Sequence, residues 1–156
     1  MLPIGVRAPD FELTDQHRQT VRLSSYRGRK NVVIAFHPLA FTPVCSAQLQ
    51  CYEREQTMFE GLDAEVLSIS FDLGPSKKAW ADSLGGISHH MLSDFHPHGA
   101  VAAAYGAKRE DGLPERALFV VDKQGVIRWA MRYEIPEHPP LEDLADALRA
   151  VQDAER

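Results

Sequence analysis

The sequence predicts an α/β protein with a central mixed β-sheet flanked by helices. Three observations carry this. Asn31–Phe36 (NVVIAF) is an apolar, β-branched run that reads as a buried strand. Further extended segments follow it, separated by stretches with helical periodicity. Near the end, Ala117–Val121 and Val126–Arg132 flank Asp122-Lys123-Gln124-Gly125, a hairpin signal with glycine closing the turn.

Along the chain, Ala8–Asp15 holds a short alternation that ends in polar turn residues, and Thr20–Leu23 is a second short extended piece. After the strand at 31–37, helical spacing runs from Ser46 to Phe59, with Gly61 as its stop. Ala64–Phe71 (AEVLSISF) reads as a strand bounded by Gly74-Pro75. Ser76 is placed to cap a helix running through Trp80 to Leu84, which Gly85-Gly86 end. His90–Leu92 fits a short strand and His98–Tyr105 a helix ending at Gly106. Pro140 opens a last helix with Glu142 and Asp143 in its first turn and an apolar stripe of Leu141, Leu144, Leu148 and Val151. Early βαβ units require parallel strands joined by right-handed crossovers, and the late hairpin adds antiparallel ones. A mixed sheet with helices on both faces satisfies this order, which is the thioredoxin-like arrangement with an N-terminal β extension.

The chain has 156 residues, with 44% apolar and 25% charged, the balance of one soluble globular domain spanning 1–156. A net charge of −5 argues against nucleic acid or an anionic membrane as the main partner. No apolar run approaches the ~20 residues of a membrane span, and the first residues lack the basic and apolar regions of a signal peptide. Two cysteines, six residues apart, make no secreted-type disulfide framework. A cytoplasmic protein with free thiols is expected.

The run Pro38-Leu39-Ala40-Phe41-Thr42-Pro43-Val44-Cys45 places Cys45 where a strand hands over to the first turn of a helix. Unpaired backbone N–H groups and the positive end of the helix dipole there favour a thiolate, the nucleophilic form. At ~100° per residue, Cys45, Leu49, Tyr52, Gln56 and Phe59 fall within about 40° of one line. Cys45 thus starts the inward face, sheltered but not sealed. Two roles stand open for it, a nucleophile and a small core residue. Thr42 suits a helix N-cap as well as a donor to the sulfur or a bound oxygen. Pro38 ends the strand and keeps water from the sulfur, and Pro43 falls near the helix start.

This run fits the Pro-x-x-x-Thr-x-x-Cys signature and so resembles the peroxiredoxins, thiol peroxidases with a thioredoxin-like fold. Ala8-Pro9-Asp10-Phe11-Glu12-Leu13, Leu92–Val101 with Ala104-Tyr105-Gly106, and Arg116–Asp122 with Gly125–Arg128 are similar to further family segments, in the same order. The likeness covers roughly residues 5–150, and the central segment looks most like the alkyl hydroperoxide reductase E subgroup, next to the bacterioferritin-comigratory-protein type. The resemblance implies that Cys45 is the peroxidatic cysteine, Thr42 orients the peroxide, Pro38 shields the sulfenate and Arg116 directs its guanidinium at the sulfur. The backbone N–H groups of Val44 and Cys45 are further donors to the same oxygen. Without the resemblance, Arg116 reads as a solvated charge at a strand start.

Gln48 stands where many relatives carry a glutamate, and it can hydrogen-bond Arg116 without adding a counter-charge. His37 stands where an aromatic residue is common, and it either fills that space or adds a pH-dependent charge. Cys51 is the one intramolecular candidate to resolve a Cys45 sulfenic acid. Six helical residues span ~9 Å, beyond the ~7 Å Cα limit for a disulfide, so the bond requires local unwinding. Cys51 lies about 120° from the inward line, on a partly exposed flank. External-thiol chemistry and an intermolecular disulfide stand beside it.

His89, His90, His96 and His98 cluster in one segment but lack the ligand set of a zinc site. They are expected on a surface loop and helix start, and the Trp80 helix is expected to pack in the core. The expected activity is reduction of hydrogen peroxide or organic hydroperoxides, with no cofactor. The expected partners are the peroxide and a low-molecular-weight thiol or a thioredoxin- or glutaredoxin-like protein, and a homodimer by analogy alone. A thiol–disulfide oxidoreductase fits the fold but not the missing Cys-x-x-Cys. A redox sensor, in which oxidised Cys45 alters a protein contact, is the non-enzymatic alternative.

Overall fold

Asn31–Phe36 forms a strand with every side chain buried. Such a run is buried on both faces because it sits inside the sheet with helices or loops above and below. In the computed structural model, which describes residues 1–155, the strands are β1 (Glu12–Thr14), β2 (Thr20–Arg22), β3 (Asn31–Phe36), β4 (Ala64–Ser70), β5 (His90–Ser93), β6 (Arg116–Val121) and β7 (Ile127–Tyr133). The helices are α1 (Pro43–Arg54), α2 (Gln56–Gly61), α3 (Gly74–Ser83), α4 (Ala100–Ala104) and α5 (Leu141–Ala154). The described strands form one mixed sheet in the order β2-β1-β5-β4-β3-β6-β7. β3 and β4 run parallel, as do β4 and β5, while β6 and β7 are antiparallel to their neighbours.

Alternation along the strands sorts the core into two faces. Ile34, Phe36, Leu67, Ile69, Leu92 and Phe119 pack against the N-terminal extension and α4, around Tyr105. On the opposite face, Val33, Ala35, Val66, Leu118 and Val120 pack against Tyr52, Phe59 and the Leu144–Leu148–Val151 stripe of α5. Beside that layer, α1 and α3 bring together Ala40, Cys45, Leu49, Trp80, Ala81, Ile87 and Met91. The same alternation runs to the ends of β4 and β6 and one residue past β3. His37, Ser70 and Arg116 each fall in the register of the α1–α3 face. Phe36 pairs with both Ile69 and Ala117, so the start of antiparallel β6 meets the C-terminal ends of β3 and β4 at one edge. Ligand sites of α/β sheets form at such an edge.

Several sequence expectations need correction. The helix expected over 46–59 starts three residues earlier, at Pro43, and breaks at Glu55 into α1 and α2. The break turns Phe59 back onto Tyr52, with ring centroids 5.9 Å apart, and Gly61 is the last residue of α2 rather than its stop. The third helix begins at Gly74 with Leu73 in the cap position, because Pro75 fits the first turn, and Ser76 does not cap it. α4 is confined to Ala100–Ala104 after Gly99 at φ 67°. A Cβ on Gly99 would meet the Phe71 ring at 2.6 Å, so only glycine fits there. His89 is buried and His90 is half-buried against Asp15, at 2.8 Å, leaving only His96 and His98 of that cluster exposed. The expected partly exposed Cys51 is buried, at 8% exposure.

Candidate active site

Cys45 occupies the third position of α1. Thr42 supplies the extended residue before the helix (φ −92°, ψ 150°), and Pro43 takes the first-turn position where its missing N–H costs nothing. The N–H groups of Val44 and Cys45 fall within the first turn, which has no intrahelical acceptors for them. The Thr42 hydroxyl makes no cap bond. It turns back and donates to the Leu39 carbonyl at 2.7 Å. This tight return leaves Phe41 at φ 65°, a conformation uncommon for a bulky residue. The residue is 58% exposed, and its ring packs over Trp80 with centroids 6.3 Å apart. Pro38 is buried beneath the loop.

Arg116 is 2% exposed, and each of its three guanidinium nitrogens has a partner. Its Nη2–H donates to Cys45 Sγ at 3.3 Å, its Nη1–H to Gln48 Oε1 at 2.7 Å, and its Nε–H to the Ile135 carbonyl at 2.9 Å. Gln48, one helical turn beyond Cys45, in turn donates from Nε2 to the Tyr52 hydroxyl at 2.9 Å. Burial pushes the Tyr52 hydroxyl well above its ordinary value, which keeps it neutral. The guanidinium is thus held in one plane by a neutral chain and keeps its whole charge for the sulfur and what binds there. The solvated-charge reading of Arg116 fails, because its parity along β6 turns it to the helix face.

The sulfur is more enclosed than the helix pattern suggests: Cys45 has 0% exposure, sealed rather than only sheltered. The walls are Leu49, Trp80, Met91 and Ala40. Trp80 donates Nε1–H to Ser46 Oγ at 3.0 Å and packs its ring against His37, with centroids 5.4 Å apart. His37 is fully buried, and neither ring nitrogen has a hydrogen-bond partner among the described residues. Burial, then the positive charges of Lys77 and Arg116, hold it well below the usual histidine range, so it fills space as a neutral ring.

Three groups near the sulfur lie outside the sequence signature. Asp72 accepts the Ala40 N–H at 2.9 Å and the Ser70 hydroxyl at 2.6 Å. Lys77, at 0% exposure, donates to Ser70 Oγ at 2.5 Å. The signal that marks Lys77 is its spacing of three and four from the buried Trp80 and Ala81, which puts it on the inward stripe of α3. Cys51 lies two turns along α1 from Cys45, ~9 Å of helix rise away. Burial raises its thiol above the ordinary value.

A buried thiol at a helix start, with a guanidinium fixed on its sulfur and a thioredoxin-like sheet beneath, is the arrangement of a thiol-dependent peroxidase. The AhpC/TSA family model matches residues 4–130, and the chain belongs to that family of peroxiredoxins. It is 43% identical over 152 residues to alkyl hydroperoxide reductase E of Mycobacterium tuberculosis, covering 97% of this chain and 99% of that one. It is 32% identical over 158 residues to the chloroplastic 2-cysteine peroxiredoxin of Chattonella marina var. antiqua, covering 96% and 80%. Among solved structures, Enterococcus faecalis AhpC matches with a TM-score of 0.89 at 30% identity, covering 99% of this chain and 95% of that one. Peroxidoxin BcpB from Mycobacterium tuberculosis matches with a TM-score of 0.84 at 27% identity, covering 97% and 99%.

Proposed function

We propose that Cys45 is the peroxidatic cysteine of an antioxidant peroxidase that reduces hydrogen peroxide and organic hydroperoxides. The observation that carries this is the Arg116 Nη2–H directed at Cys45 Sγ. The thiolate attacks the distal peroxide oxygen. An S–O bond forms as the O–O bond breaks, and the leaving oxygen takes a proton and departs as water or an alcohol. Charge moves from sulfur onto the oxygens during this step. Arg116 and the first-turn N–H groups of Val44 and Cys45 are placed to stabilise it there. Thr42 orients the peroxide once its hydroxyl leaves the Leu39 carbonyl, and Pro38 shields the resulting sulfenate from over-oxidation.

The sulfenic sulfur is then attacked by a thiol, releasing water and forming a mixed disulfide that a second thiol reduces. The unbroken α1 and the buried Cys51 support an external thiol as that reductant, either a small thiol or a thioredoxin- or glutaredoxin-type protein. The cytoplasm, which maintains such thiols, is the compartment we assign. A homodimer fits the position of β7 at the sheet edge, where Met131 is 41% exposed.

The test is stopped-flow mixing of the reduced protein with hydrogen peroxide and with an organic hydroperoxide. Rapid consumption by the native chain and none above background by Cys45→Ser is expected. Equal consumption by the two proteins would sink the assignment.

A further inference from the structure

A fully buried ammonium is among the costliest groups to place in a protein interior, and a methionine would fill the same volume without that cost. Lys77 therefore needs a reason for its place on the inward stripe of α3. Its hydrogen bonds have a fixed direction. Lys77 Nζ–H donates to Ser70 Oγ at 2.5 Å, and the single hydroxyl proton of Ser70 goes to Asp72 Oδ2 at 2.6 Å. The same carboxylate oxygen accepts the Ala40 N–H at 2.9 Å. Ala40 lies in the loop between β3 and α1, five residues before Cys45. The loop is also tied to β4 by the His37 N–H, which donates to the Ile69 carbonyl at 3.0 Å. The relay joins α3, the end of β4 and the cysteine loop through side chains that are buried or half-buried.

We propose that Lys77 is a positioning residue for Cys45: through Ser70 and Asp72 it fixes the loop that presents the sulfur, and its charge supports the anion formed there. This rests on the peroxidase reading above. The titratable and charged groups facing Lys77 are Asp72 after β4, Cys45 on α1, His37 after β3 and His89 before β5, with Arg116 of β6 on the far side of the sulfur. Burial brings the lysine down to about 8, against the opposing pull of Asp72 and Cys45. Both histidines are held neutral by burial. The ammonium is therefore present near pH 7 and discharges as the pH rises through about 8.

The experiment compares single-turnover oxidation of native protein and Lys77→Met by excess hydrogen peroxide from pH 6 to 9.5, with circular dichroism to verify folding. Iodoacetamide alkylation of Cys45 is followed over the same range. At pH 7 the variant is expected to react about tenfold more slowly, less than the loss caused by removing a donor that touches the reacting atoms. The ratio of native to variant rates should shrink above pH 8, which a purely structural lysine would not produce. A native rate in Lys77→Met, or a ratio constant with pH, overturns the proposal. Should Lys77→Met fail to fold, Ser70→Ala decides: it keeps the ammonium but cuts the tie to the loop. Slower oxidation supports the relay, and native oxidation refutes it. Failure of the peroxidase reading is separately visible as a native protein no faster than Cys45→Ser, while alkylation, which needs no peroxide, still reports on Lys77.

Discussion

Arg116 and Cys45 stand 71 residues apart in the chain and meet at 3.3 Å, guanidinium nitrogen to sulfur. The contact depends on sheet order. β6 runs antiparallel to β3, so its first residue lies beside the last turn of chain before α1. The charge arrives at the sulfur already fixed by Gln48 and the Ile135 carbonyl, with no reorganisation left for the reaction itself.

Replacing Arg116 with methionine should slow oxidation of Cys45 by about 10²–10³-fold, the range seen when one donor to a developing anion is removed. Arg116→Lys keeps the charge but cannot reach Cys45, Gln48 and Ile135 together, and it should recover only part of that loss. Stopped-flow traces for the two variants would show this order. An Arg116→Lys rate equal to the native one would mean that charge alone, not the fork, matters.

Gln48 joins Arg116 to Tyr52, and Gln48→Leu leaves a buried guanidinium N–H and the Tyr52 hydroxyl without this partner. The expected cost is about 1–3 kcal/mol in urea unfolding. Gln48→Glu restores an acceptor for both and should unfold nearer to the native midpoint. A leucine variant as stable as native protein would show that the chain contributes orientation only.

Cys51 should not pair with Cys45 in the folded protein. The helix between them is continuous, and its ~9 Å of rise exceeds what a disulfide spans. After one equivalent of peroxide, intact mass should rise by one oxygen, and Cys51→Ser should turn over at the native rate with an external thiol. A loss of two hydrogens, abolished in Cys51→Ser, would instead place Cys51 as the resolving thiol.

Acid should destabilise the fold earlier than its carboxylates alone would cause. Burial holds His89 at about 3 against an unfolded value of 6.5, and holds His37 low as well. Between these limits the unfolded chain binds more protons than the folded one, so stability is complete above about 6.5 and falls as the pH drops towards 3. His89→Leu should flatten that slope, by on the order of 1–3 kcal/mol between pH 7 and pH 4. Urea midpoints at a series of pH values measure it, and parallel slopes for the two proteins would refute it.

Element types were legible because they follow from local pattern. The run 31–36, the hairpin around Gly125 and the apolar stripe of α5 each carry their own periodicity. Boundaries were less so. Neither proline nor glycine marks the break at Glu55, which follows from how Phe59 packs on Tyr52. Gly74-Pro75 reads as punctuation in sequence, yet it starts α3 because Leu73 takes the cap conformation.

For the site, the sequence by itself determined the cysteine at a helix start, since strand, prolines, threonine and cysteine are neighbours in the chain. With the family signature it also named Arg116. Only the tertiary structure decided that Arg116 is buried, that Gln48 and Tyr52 hold it, that the sulfur is sealed, and that Lys77, Ser70 and Asp72 reach the cysteine loop. These contacts link α1 and α3 with β3, β4 and β6, strands whose order in the sheet differs from their order in sequence. Electrostatics depends on distance and burial in three dimensions, so a lysine that looks like one more helix charge faces Cys45 once its turn of α3 points inward.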